Sequence, residues 1–106
     1  MALTVCFFET RAGRSQPREF LAALSAANRA SIMADILRVA EHGRNAPVSV
    51  KQIKGTRGLL EIRTRGFRTF YVTRSGTTLW VLHACKKQDQ WHGIEVASIR
   101  MKKLEE

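Results

Sequence analysis

Hydrophobic and polar positions divide the chain into segments of different period. Leu3 to Phe8 is an apolar run rich in strand-forming residues, followed by a polar stretch, Arg11 to Ser15, that carries Gly13. A strand and then a loop follow from this. Pro17 stands where the first turn of a helix tolerates proline, and Phe20, Leu21 and Leu24 make a short amphipathic helix ending near Ala27. Asn28 is placed to cap a second helix, in which Ile32, Met33, Ile36, Leu37 and Val39 recur at helical spacing until Gly43 stops it. From Asn45 to Gly58 that period is lost. Pro47, Gly55 and Gly58 alternate with Lys51, Lys54 and Arg57, a basic connection with room for one short extended piece. Three strand-like runs follow, about 59–65, 67–74 and 77–85, broken by Arg65-Gly66 and Ser75-Gly76. Gln90 to Leu104 reads as a terminal helix with Ile94, Ala97 and Met101 on one face and Gly93 weakening its start.

The order predicts an α+β fold in one domain over residues 1–106: an N-terminal strand, a helical hairpin, a three-stranded antiparallel meander, and a C-terminal helix packed on the sheet. If both dipeptides are two-residue turns, register follows. Thr64 then faces Phe67, Arg63 faces Arg68, Arg74 faces Thr77 and Arg68 faces His83. Leu60, Ile62, Phe67, Tyr71, Trp80 and Leu82 form one apolar face. On the other, Leu59, Phe70, Val72, Leu79 and Val81 need a cover, for which the terminal helix is available. Below them Arg63, Arg68 and His83 stand in one row that period-two alternation extends to Lys87, with Glu61 alongside. Neighbouring cations repel each other, so a polyanionic ligand accounts for such a row.

Composition narrows the partner. With 44% hydrophobic and 25% charged residues the chain is globular, and no apolar run approaches a membrane span. Its first positive charge follows the apolar start, the reverse of a secretory signal, so a cytoplasmic location is expected. Lys and Arg number 18 against 9 Asp and Glu, a net charge of +9. That is the footprint of a nucleic-acid or ribosome binder, although acidic proteins and anionic surfaces attract the same charge. Cys6 and Cys85 are isolated and are expected as buried, reduced thiols. His42, His83 and His92 do not repeat at metal-ligand spacing, and no metal or cofactor is expected.

KQIKGTRGLLEIR, GFRTFYV and LWVLHACKK, followed by a helix containing RMKKL, resemble in order and spacing the HigB-like, phage-derived branch of the RelE toxin superfamily, over nearly the whole chain. The resemblance implies a type II toxin that cuts mRNA on the ribosome, silenced by a cognate, HigA-like helix-turn-helix antitoxin. The superfamily's strand arginine falls on Arg68, the arginine closing its EIR strand on Arg63, and its basic pair on Lys86 and Lys87. Three positions depart from the pattern. Leu60 replaces an aromatic, QDQWH replaces a TQKTP-like sequence, and the family's C-terminal tyrosine has no counterpart.

RNA cleavage by the neighbouring 2′-hydroxyl requires its deprotonation, stabilisation of a phosphorane, and protonation of the leaving 5′-oxygen. Arginine suits the second task, because its planar fork stays charged and binds phosphate oxygens in pairs, so Arg68 with Arg63 is expected there. Glu61 or His83 is the candidate base, and Lys87 or Lys86 the proton donor or phosphate holder. Each has a plainer competitor: a surface ion pair of the arginines with Glu61, a hydrogen-bonded structural His83, and a solvated basic strand end. Lys51, Lys54, Arg57, Arg65 and Arg74 extend the field as phosphate contacts. Trp91 and His92 either stack on bases or anchor the last helix. Tyr71 and Trp80 read as core. Two other functions compete: a non-catalytic RNA- or ribosome-binding module, and an interaction protein whose basic face meets an acidic partner.

Overall fold

Each periodic segment becomes an element in the computed structural model, which describes residues 2–105. In chain order these are β1 (Thr4–Phe7), α1 (Gln16–Ala22), α2 (Ala26–His42), β2 (Ser49–Gln52), β3 (Leu60–Thr64), β4 (Phe67–Arg74), β5 (Thr78–Lys86) and α3 (Gln90–Lys103), with single 3-10 turns at Gly43–Asn45 and Lys87–Asp89. One five-stranded sheet has the order β1-β5-β4-β3-β2, with β1 parallel to β5 and the other pairs antiparallel. The architecture is the α+β arrangement expected, with a fifth strand added. Among the described residues no helix is long and apolar enough to cross a membrane.

The added strand is β2, within the stretch read as a basic connection. Val48 and Val50 pack on the core while Ser49 and Lys51 are exposed, a two-residue period hidden by Pro47 and the lysines. Its polar, charged outer side suits an edge strand. The cap of α2 is Ser25, whose hydroxyl accepts the Asn28 amide at 3.2 Å, so Asn28 lies on the donor side of the cap expected of it. Gly43 ends the helix at φ 63, as its position suggested.

Register across β4 and β5 differs from the expectation. Ser75 and Gly76 adopt φ 59 and φ 65, and Thr77 N donates to Arg74 O at 3.2 Å, so the two-residue turn forms. The ladder nevertheless pairs Arg74 with Thr78, which makes Thr77 an extra residue. A second irregularity lies between Phe70 and Tyr71, where the partners jump from His83 to Val81 and Leu82 is extra. Each one-residue slip exchanges the faces of a strand, and two restore them. Between the slips Leu79 and Val81 therefore join Tyr71, Ile62, Ile32 and Ile36 beneath α2, while Trp80 and Leu82 join Phe70, Val72 and Leu59 beneath α3. Trp80 does not share the Tyr71 face. Beyond the second slip Arg68 faces Cys85 rather than His83, and His83 faces Phe70.

α3 lies against the sheet through Gly93 and Ala97. A Cβ on Gly93 would stand 2.7 Å from Phe70 Cε2, 3.0 Å from Cys85 Sγ and 3.2 Å from His83 Cδ2. Alanine normally stabilises a helix interior by about 1 kcal/mol relative to glycine. Here the sign reverses, because ring and sulfur are held in a packed layer, and overpacking costs about 1–3 kcal/mol. Gly93→Ala is therefore expected to lower the denaturant midpoint; an unchanged or raised midpoint would show that α3 is not closely seated.

Candidate functional site

The β3–β4 hairpin sets Arg63 directly opposite Arg68. Glu61, one pair further along on the same face, is 0% exposed. Its Oε1 accepts Arg63 Nε at 2.8 Å and its Oε2 accepts Gln90 Nε2 at 2.7 Å, so one buried carboxylate ties β3 to the first residue of α3. Arg63 itself is 35% exposed. With Nε held, its two terminal nitrogens make no hydrogen bond among the described residues. Arg68 is buried at 6% exposure. Its Nη1 donates at 2.9 Å to both Arg65 O and Phe67 O, fixing the guanidinium on the turn, while its buried Nε has no partner. Two guanidiniums on facing strands repel each other, and Glu61 neutralises only one of them.

His83 is also buried, at 7% exposure. Arg100 Nη1 lies 3.1 Å from its Nδ1 and donates to Leu82 O at 2.8 Å. An arginine only donates, so Nδ1 is the acceptor and the imidazole proton sits on Nε2. Burial, then Arg100, then His92 lower the His83 pKa to about 4, with Asp89 opposing. In the unfolded chain the imidazole protonates near its model value of 6.5. Its contribution to stability is thus complete above about pH 6.5 and is lost as the pH falls towards 4. Melting temperature should decline through that window in the wild type, and the decline should be shallower in His83→Gln; equal slopes would contradict this placement.

Neither expected base presents an accessible basic atom, since Glu61 is fully buried with a donor on each oxygen and the buried His83 has Nδ1 engaged by Arg100. The exposed members of the cluster run from the end of β5 through the 3-10 turn into the first turn of α3. Lys87 N donates to Gly66 O at 2.8 Å, which holds the 3-10 turn on the β3–β4 turn with the Lys87 side chain exposed. Lys86 pairs with Phe67 and so takes the opposite face of β5 from Cys85. Trp91 is 81% exposed and anchors nothing. His92 is exposed, its ring edge-on to His83 with centroids 6.5 Å apart. The Cys85 thiol is pushed up to about 11, chiefly by burial, and is inert.

The wider basic set is divided by the sheet. Arg65 is exposed at the β3–β4 turn with φ 54, beside the cluster. Lys54 and Arg57 lie in the loop entering β3, and Arg74 ends β4, so these three belong to the other end of the sheet. There Arg74 pairs with Glu105 at 3.3 Å, and Arg57 borders a depression with Met101 and Lys102. Lys51 is exposed on β2, opposite Glu61.

Three participants escaped the sequence reading. Gln90 holds Glu61. Arg100 holds His83 and lies over the Phe8 ring at 5.5 Å. Gln16 exchanges two hydrogen bonds with the Ala84 backbone, at 2.7 and 3.2 Å, taking the place of a strand partner where β1 has ended. Of these Arg100 alone left a trace, as a cation in step with Gly93, Ala97 and Leu104 on the inner side of α3. Among the described residues no group of three His, Cys, Asp or Glu side chains is placed to hold a metal ion.

Comparison with known proteins adds two findings. The family described as "Phage derived protein Gp49-like (DUF891)" matches residues 19–102. Among solved structures, the crystal structure of the archaeal RelE–RelB complex from Pyrococcus horikoshii OT3 contains a similar chain, with a TM-score of 0.65 and 15% identity over 82% of this chain and 97% of that one. The fold is RelE-like. No curated protein matches the chain.

Proposed function

The chain belongs to the phage-derived Gp49-like family and has a RelE-like fold, and on that footing we propose that it is the toxin of a type II toxin–antitoxin pair, a metal-independent endoribonuclease acting on ribosome-bound mRNA in the cytoplasm. The observation that carries the reading is the pair of facing guanidiniums, Arg63 and Arg68, with an exposed tryptophan, histidine and lysine beside it. An RNA phosphate placed between the arginines relieves their repulsion, and the relief grows as a phosphorane gains charge. The 2′-oxygen attacks phosphorus and the 5′-oxygen leaves. With Glu61 and His83 satisfied internally, proton transfer falls to exposed groups, His92 accepting from the 2′-hydroxyl and Lys87 donating to the 5′-oxygen. Trp91 supplies a face on which a base stacks. The acidic partner that covers this surface is an antitoxin, as the RelE–RelB complex suggests by its composition.

Programmed ribosomes with a defined mRNA test the proposal. Cuts that require the ribosome and leave a 5′-hydroxyl and a 2′,3′-cyclic phosphate are expected; products with a 5′-phosphate would exclude attack by the 2′-oxygen. Trp91→Ala should leave the melting temperature unchanged, since the side chain is in solvent, while weakening RNA binding by about 1–3 kcal/mol, the usual value of one base stack. Equal affinity measured by anisotropy would remove Trp91 from the interface. The engagement of both expected bases favours one other reading, a binding module without chemistry. Ribosome association with intact mRNA would establish it.

A further inference from the structure

Glu61 is the one buried carboxylate among the described residues, and its two oxygens serve different elements. Oε1 accepts Arg63 Nε at 2.8 Å, and Oε2 accepts the side-chain amide of Gln90 at 2.7 Å. A carboxylate only accepts, so the amide nitrogen is the atom turned towards it. A guanidinium beside a carboxylate commonly closes on it with two parallel N–H···O bonds, which would commit one of the terminal nitrogens of Arg63. Here the second oxygen is already taken by Gln90. The guanidinium is therefore held at Nε alone, half-exposed, with both terminal nitrogens free of protein partners among the described residues. Gln90 is itself fixed from both sides. It is the first residue of α3, the Lys87 amide anchors the preceding 3-10 turn to Gly66 O at 2.8 Å, and Gly93, one turn on, is seated against Phe70, Cys85 and His83.

We propose that Gln90 is a positioning residue of the arginine site: by occupying Oε2 of Glu61 it prevents the carboxylate from closing on Arg63 with both oxygens, and so keeps the terminal nitrogens of Arg63 open to an RNA phosphate. In this role Gln90 touches neither substrate nor reacting atom and acts only through Glu61. Arginine binds phosphate oxygens in pairs through its planar fork, so a guanidinium with one prong spent on Glu61 presents a poorer site. The inference rests on the RNA-cleaving reading and names a residue that prepares its site.

The test combines crystal structures of variants with cleavage of ribosome-bound mRNA at saturating enzyme, measured well below each protein's melting temperature. Gln90→Met keeps an unbranched side chain of similar length and removes the donor. Arg63 is then expected to pair with Glu61 through two nitrogens, and the rate at saturation to fall about 10-fold to 100-fold, the range for outer-shell partners that orient metal ligands. Gln90→Glu supplies a donor only while the two adjoining carboxyls hold a proton, and their proximity raises the pH at which that proton leaves. Its rate relative to wild type is therefore expected to fall as the pH rises. The ionisable groups that face the pair, Lys51 on β2, Arg63 on β3, Arg68 on β4, Cys85 on β5 and Asp89 before α3, are the same in both proteins, so the ratio isolates the added carboxyl. A structure of Gln90→Met with Arg63 still held by Nε alone would overturn the inference, whatever the fate of the cleavage reading. So would the wild-type rate in Gln90→Met, or a Gln90→Glu ratio that is flat with pH, since either makes Gln90 a structural tie only. Wild-type protein that leaves ribosome-bound mRNA intact would remove the RNA-cleaving reading and this inference together.

Discussion

Arg63→Ala is expected to destabilise the fold by about 3–5 kcal/mol, far more than an exposed arginine normally would. The reason is Glu61. At 0% exposure its carboxylate is neutralised by Arg63 Nε at 2.8 Å, and the substitution leaves it with Gln90 alone. Removing one partner of a buried ion pair costs that much because the other charge stays out of water, whereas an exposed pair contributes at most about 1 kcal/mol. For a domain of this size each kcal/mol moves the melting temperature by roughly 4–8 °C, so the loss is easily measured. Glu61→Gln in the same background should restore most of it, since a neutral amide needs no counter-charge. A cost below about 1 kcal/mol would return the pair to the ordinary surface class. Loss of activity in Arg63→Ala alone would not separate chemistry from folding.

Arg68 gives the second large effect. Arg68→Lys keeps a positive charge beneath the turn but loses the planar fork that binds phosphate oxygens in pairs. Removing one preorganised donor to a developing oxyanion costs roughly 100-fold to 1000-fold in rate. That loss is expected in cleavage of ribosome-bound mRNA, with a modest drop in melting temperature because the two carbonyls of Arg65 and Phe67 retain a donor. Arg68→Ala, which empties a site only 6% exposed, would add a packing defect and is the poorer test. Cleavage within a few-fold of wild type in Arg68→Lys would remove the guanidinium from the reaction.

The arginine pair was legible because one hairpin, Arg65-Gly66, sets it, and the observed pairing of Arg63 with Arg68 is the one that turn implies. His83 also ends on the expected face, though by two compensating slips rather than by the register first inferred. Nothing in the composition of β5 marks Leu82 as a bulge, because an extra residue in a strand is decided by what both faces must bury. That is why Trp80 and Leu82 exchanged faces with Leu79 and Val81. The helices followed from their spacing, whereas β2 was masked by charged residues that an edge strand tolerates.

Least visible were the bonds that turn candidate catalytic groups into structural ones. Gln90 is 29 residues from Glu61, and Arg100 is 17 from His83. Side chains that distant meet only after α3 has docked on the sheet. A carboxylate and an imidazole beside two arginines look like a base in search of a substrate, and the packed helix supplies their partners. Charge alone likewise could not divide the basic residues between the two ends of the sheet, which requires the positions of Lys54, Arg57 and Arg74 beyond the strands.

The most direct test of the central claim is to map mRNA 5′ ends in bacteria before and after induction of the wild type and of a folded Arg68→Lys. New cuts within translated messages, accompanied by growth arrest and both absent in the variant, are the predicted result. Growth arrest with intact messages, or the same cuts from both proteins, would contradict an endoribonuclease that works through the facing arginines.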